Sequence, residues 1–100
     1  MAGAAPQTTL EAVAGAIVVR GPLVLTTAGD VLTRSIALLP TQGVAIIDLG
    51  GVTRADSAAL ALIIEWRRLA TQRALTLELR GLPAQLRALA AASGLEALCA

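Results

Sequence analysis

Asp56 and Ser57 stand side by side at the start of the longest helical pattern in the chain, with Asp48 eight residues upstream. A carboxylate next to a hydroxyl suggests two kinds of chemistry: an activated nucleophile, or an acceptor for a regulatory phosphate. The nucleophile needs a base, and the chain has no His and no Lys. That excludes Ser-His-Asp and Cys-His arrangements and removes the commonest metal ligand. The glycines fit neither a GxxxxGK phosphate loop nor GxGxxG. The one cysteine, Cys99, is penultimate. It has no partner for an intramolecular disulfide and no His or Lys to activate it, so it reads as a small apolar residue. No catalytic residue, cofactor or metal site is therefore expected. A small enzyme using Asp56 and Ser57 stays as the weakest of three readings.

The elements that must position this pair belong to one domain. One hundred residues suffice for a single modest core. Apolar residues are 56% of the chain and charged ones 15%, which excludes a disordered tail. The longest apolar run, Ala58 to Ile64, is far shorter than the ~20 residues of a spanning helix. No Lys or Arg precedes the first apolar stretch, so the amino terminus does not read as a signal peptide. The chain reads as soluble and intracellular, with more apolar surface than a small monomer easily hides. All eight basic residues are Arg, scattered from Arg20 to Arg87, and the net charge is +1. With no Tyr, no Phe and a single Trp, there is neither a basic stripe nor a stacking platform for nucleic acid.

Met1 to Thr8 reads as a flexible end, and residues 9–100 as the domain. Thr9–Val13 and Ala16–Arg20 read as strands, the second closed by Gly21-Pro22, with a short extension at Leu23–Leu25. Thr26 or Thr27 suits a helix cap, and the periodicity then runs to Leu39, where Pro40 stops it. Val44–Leu49 is a short β-branched run ending at Gly50-Gly51, as expected of a doubly buried strand. Ser57–Gln72 is a helix, Leu75–Arg80 an alternating strand, and Pro83 opens a last helix that Gly94 ends as a left-handed cap. The order β-β-α-β-α-β-α predicts an α/β domain: a small mixed sheet with helices packed against it.

Within this frame Ser57 falls at the N-cap of the long helix, and Asp56 adds negative charge near the positive end of its dipole. The pair reads either as a cap alone or as a cap whose hydroxyl accepts a phosphate. A helical wheel collects Ala58, Ala59, Leu62, Ile63, Trp66, Leu69 and Ala70 into one apolar arc. The other face carries Ser57, Glu65, Arg67, Arg68, Thr71 and Gln72. Leu60 and Ile64 also fall there, one turn apart. Either the buried face is wider than the arc, or Leu60 and Ile64 form an aliphatic docking centre rimmed by Arg67 and Arg68.

The element order, the stretch Val44 to Ser57 (VAIIDLGGVTRADS) and the helix start Asp56-Ser57-Ala58-Ala59-Leu60 resemble the STAS domain family (sulfate transporter and anti-sigma factor antagonist). Asp48, Asp56, Ser57 and Leu60 match the family pattern, and Ala59 replaces its usual Gly. The resemblance runs from about Thr9 to Leu98. Within the family, Gly51 to Trp66 looks most like the small cytoplasmic STAS subunit of the Mla phospholipid transporter. The resemblance implies a non-enzymatic accessory protein. Its partner would be the ATPase of an ABC transporter that moves phospholipid between Gram-negative membranes. It would meet the membrane only through that complex, as a cytoplasmic protein peripheral to the inner membrane. Asp56, Ser57, Leu60, Ile64, Arg67 and Arg68 are its expected partner-binding residues. The alternative within the family is an anti-sigma factor antagonist switched by phosphorylation at Ser57.

Overall fold

The computed structural model describes residues 7–99. The elements are β1 (Thr9–Val13), β2 (Ala16–Leu23), α1 (Leu25–Leu38), β3 (Val44–Ala55), α2 (Ser57–Gln72), β4 (Thr76–Arg80) and α3 (Ala84–Ala92), followed by a 3₁₀ turn at Glu96–Cys99. The strands form one sheet in the order β1-β2-β3-β4. β1 pairs antiparallel with β2 through the tight turn at Ala14-Gly15, both with positive φ. β2, β3 and β4 run parallel. This is the mixed α/β domain that the element order predicts.

Two crossovers, β2-α1-β3 and β3-α2-β4, each join neighbouring parallel strands and advance across the sheet in the same direction. Right-handed connections then put both helices on one face. Burial agrees with this arrangement. Ile17 and Val19 of β2 and Ala45, Ile47 and Leu49 of β3 are buried, while their alternates Ala16, Val18, Ile46 and Asp48 are only half-buried. Trp66 and Ile63 of α2, Val31 of α1 and Leu86 of α3 complete the core. Each large side chain buried this way contributes roughly 1.5–3 kcal/mol of transfer free energy.

Several boundaries differ from the sequence reading. β2 does not stop at Gly21-Pro22 but runs on to Leu23, and β3 passes through Gly50-Gly51 to Ala55. Bulges make this continuity possible. Val19 faces two β3 residues, Leu49 and Gly50, and Thr53 is the extra residue where Gly21 and Pro22 pair with Val52 and Arg54. Proline has no ladder donor, and a bulge accommodates its absence. The glycines serve close approach here: a Cβ on Gly51 would lie 2.7 Å from Arg20 Cγ, and one on Gly21 would lie 2.6 Å from Gln7 O. α1 begins two to three residues earlier than expected, at Leu25, with Val24 in the cap position.

At the amino end, residues 1–6 lie outside the described residues. Thr8, expected in the flexible end, is 3% exposed. Its hydroxyl donates to Pro22 O, and its carbonyl accepts from Arg34. At the other end Gly94 has the expected positive φ of 70°. Leu95 N–H donates to Ala90 O and Gly94 N–H to Ala91 O, the paired bonds of a helix stop closed by glycine. The side chain of Cys99 lies outside the described residues. No helix among the described residues is long and apolar enough to cross a membrane.

Candidate functional site

β3 delivers the chain to the helix-bearing end of the sheet, and Asp56 turns it into α2. The Asp56 backbone is extended (φ −131°, ψ −168°), as an N-cap requires. Its Oδ1 accepts from Ala58 N–H at 2.8 Å. The cap is therefore Asp56, not Ser57, a correction to the sequence reading. The strand stays extended to Ala55, six residues beyond where the sequence places its end, so the extended cap residue is the acid and Ser57 becomes the first helical residue. Ser57 is exposed, and its hydroxyl makes no hydrogen bond among the described residues. One residue upstream, Ala55 N–H donates to Gln85 Oε1 at 3.1 Å, which ties the start of α3 to the same loop.

The proposed aliphatic centre divides. Leu60 is 6% exposed and belongs to the core, whereas Ile64 is 41% exposed. Leu60 is thus not half of a surface pair. α2 lies between α1 and α3 and packs against both, so its buried face is wider than a helix touching the sheet alone would show. Leu60 shares the core with Leu82, Leu86 and Ala90 of the α3 region.

What remains at the surface is a ridge at helical spacing: Ser57, Ala61, Ile64 and Arg68, all exposed. Arg67 is half-buried beside it, and its carbonyl accepts from Thr71 Oγ1. The Arg68 guanidinium grips Glu65 with two bonds, Nε at 3.1 Å and Nη2 at 2.7 Å. Those bonds hold the Glu65 carboxyl below its usual range and push Arg68 up, with the attraction between the charges acting in the same direction. Asp48 stands apart from this ridge. Its Oδ1 accepts from Gly50 N–H at 2.8 Å within the β3 bulge.

The sequence reading missed the contribution of α1. Leu25 is 80% exposed, the most exposed large hydrophobic side chain among the described residues. It lines a cleft of about 350 Å³ between α1 and α2, together with Ala28, Gly29, Leu32, Ala58, Ala61 and Leu62. The signal for it is a matched pair of stripes, residues 25, 28, 29 and 32 against 58, 61, 62 and 65, each at i, i+3, i+4, i+7 spacing. A second hollow of about 380 Å³ opens where the two helices start, lined by Leu25, Arg54, Asp56 and Gln85. A third, of about 410 Å³, is lined by threonines and the Asp30–Arg34 ion pair on the far side of α1. Among the described residues no three His, Cys, Asp or Glu gather as a metal cage.

The arrangement combines an exposed hydroxyl, a ridge with one aliphatic and one forked cation, and an apolar cleft beside it. A family model described as Mlab, STAS domain, matches residues 7–100. No curated protein matches the chain.

Proposed function

The chain belongs to the STAS domain family, and from that premise we propose that it is an accessory subunit that binds and supports the ATPase of an ABC transporter moving phospholipids between Gram-negative membranes. The observation that carries the proposal is the match of nearly the whole chain to the Mlab type of STAS domain. STAS domains are generally non-enzymatic, and the action proposed for this chain is binding alone. The docking surface is the exposed ridge of α2, with Ser57 at its head, Ile64 at its centre and Arg68 below. A half-exposed aliphatic flanked by an arginine suits a protein interface, where Arg is enriched and fixes register by forked hydrogen bonds. On this reading the chain is cytoplasmic and reaches the inner membrane only through its complex.

A second reading within the family is an anti-sigma factor antagonist with Ser57 as phosphoacceptor. The observation in its favour is that the Ser57 hydroxyl is exposed and not occupied as the cap. One experiment separates the two. The chain is co-expressed with the phospholipid-transporter ATPase of the same genome, purified as a complex by size exclusion, and examined for phosphate at Ser57 by mass spectrometry. A stable complex with Ser57 unmodified supports the accessory subunit. Failure to associate, together with phosphate at Ser57, transfers the case to the antagonist.

A further inference from the structure

Val24 occupies the N-cap of α1, and valine has no side-chain atom that accepts a hydrogen bond. The start of α1 is nonetheless supplied with acceptors. Thr27 Oγ1 accepts from Val24 N–H at 3.0 Å and itself donates to Pro22 O at 2.9 Å. Leu25 N–H, the first amide of the helix, donates to Asp56 Oδ2 at 3.2 Å. The other oxygen of that carboxylate is the one that takes Ala58 N–H at the start of α2.

We infer that Asp56 is a shared cap, a positioning residue whose single carboxylate closes the N-termini of both α1 and α2 and sets where the two helices stand relative to each other. The chemistry admits few substitutes. An ionised carboxylate is acceptor-only at both oxygens, so it serves two N–H donors arriving from different helices. Asparagine keeps one acceptor and presents an NH₂ group to the other donor. Serine has one oxygen. Both still cap one helix well. The charge also lies near the positive ends of two parallel helix dipoles, where each favours it. Arg54 of β3 is the one other charged residue lining the hollow in which the carboxylate sits. The consequence is geometric: the bond to Leu25 holds that residue, whose exposed side chain lines the α1–α2 cleft, in place. This inference stands independently of what binds the chain.

The test is amide NMR on the whole protein. Across the titration of the Asp56 carboxyl, the Leu25 and Ala58 amide protons should shift together with one midpoint, and both responses should vanish in Asp56→Asn. A role for Asp56 in the α2 cap alone would leave Leu25 unresponsive. Hydrogen exchange gives the second readout. In Asp56→Asn the amide at Leu25, which makes the longer bond, should exchange about five- to ten-fold faster while Ala58 stays within about two-fold of wild type, as expected for local loss of one hydrogen bond. Asp56→Ser should give the same split and serves if the Asn variant folds poorly. Protection kept at both amides, lost at both alike, or a Leu25 amide that does not titrate with Ala58 overturns the shared cap.

Discussion

Ser57 and Asp56 exchange roles between sequence and structure, and the exchange alters what their variants should do. With Ser57 as the cap, Ser57→Ala would cost about 1 kcal/mol. With Ser57 as an exposed first helical residue, the same change should stay within about 0.5 kcal/mol of wild type. Ser57→Asp should be as stable or slightly more so, since a negative charge in the first turn gains about 0.3–1 kcal/mol from the dipole. Urea denaturation of the two variants checks both values. In the proposed complex, Ser57→Asp should still weaken ATPase binding by placing charge in the interface. Leu60 and Ile64 separate in the same way. Leu60→Ser should cost about 2–5 kcal/mol, as for a large-to-small change in a packed core. Ile64→Ser should leave the melting temperature nearly unchanged and lower ATPase affinity by about ten-fold, the equivalent of ~1.4 kcal/mol. An Ile64→Ser chain that is folded and binds normally would remove Ile64 from the docking surface.

At the scale of elements, α2 is organised differently on its two sides. Its inner side carries Trp66 and Ile63 into the core, and its outer side is held by the Glu65–Arg68 fork. Both members of that fork are solvent-exposed, so its contribution to stability is small and screened by salt. Its pH signature is still specific. The Glu65 carboxyl is depressed in the fold, chiefly by its hydrogen bonds from Arg68. Its contribution is therefore complete above the unfolded carboxyl range and is lost as pH falls through the folded midpoint. Arg68→Gln should move the Glu65 midpoint upward toward the ordinary carboxylate range, with the helix intact. Carbonyl NMR of Glu65 across the acid range measures this, and an unmoved midpoint would contradict the fork. β3 shows a different balance. Its glycines read as an end in the sequence, yet the chain continues because bulges absorb the mismatch with β2.

The described residues form a two-layer domain in which a buried polar link joins α1 to α2. Trp66 Nε1–H donates to Ser35 Oγ at 2.8 Å, and Ser35 Oγ donates to Leu32 O at 2.8 Å. Trp66 and Ser35 are both fully buried. Ser35→Ala would leave the indole N–H without an acceptor, which costs about 1–3 kcal/mol. Because Trp66 is the only aromatic residue, its fluorescence reports this site alone, and its unfolding midpoint in urea should fall accordingly. A midpoint equal to wild type would mean that the link carries no net stability. The opposite face of the sheet has no helix over it among the described residues. It carries the exposed ion pairs Glu11–Arg20 and Glu78–Arg80 around the half-buried Val18 and Ile46.

By itself the sequence determined the order of elements, the α/β class and the extent of α2 apart from its cap. Those follow from local signals: the 3.6-residue periodicity of Ser57 to Gln72, the alternation in Leu75 to Arg80, and the punctuation of Pro40 and Gly94. It also singled out the stretch from Asp48 to Ser57, which in the structure is the end of β3 and the start of α2. Only the tertiary structure decided which residue of the Asp56-Ser57 pair caps the helix, since that depends on how far β3 stays paired with β2. Only the tertiary structure moved Leu60 into the core, because a helical wheel shows angles around one helix and not the α3 that covers its flank. The link from Asp56 to Leu25 belongs to the same class. It joins residues 31 positions apart, and no local pattern records that two helix starts meet at one carboxylate until the parallel strands bring them to the same end of the sheet.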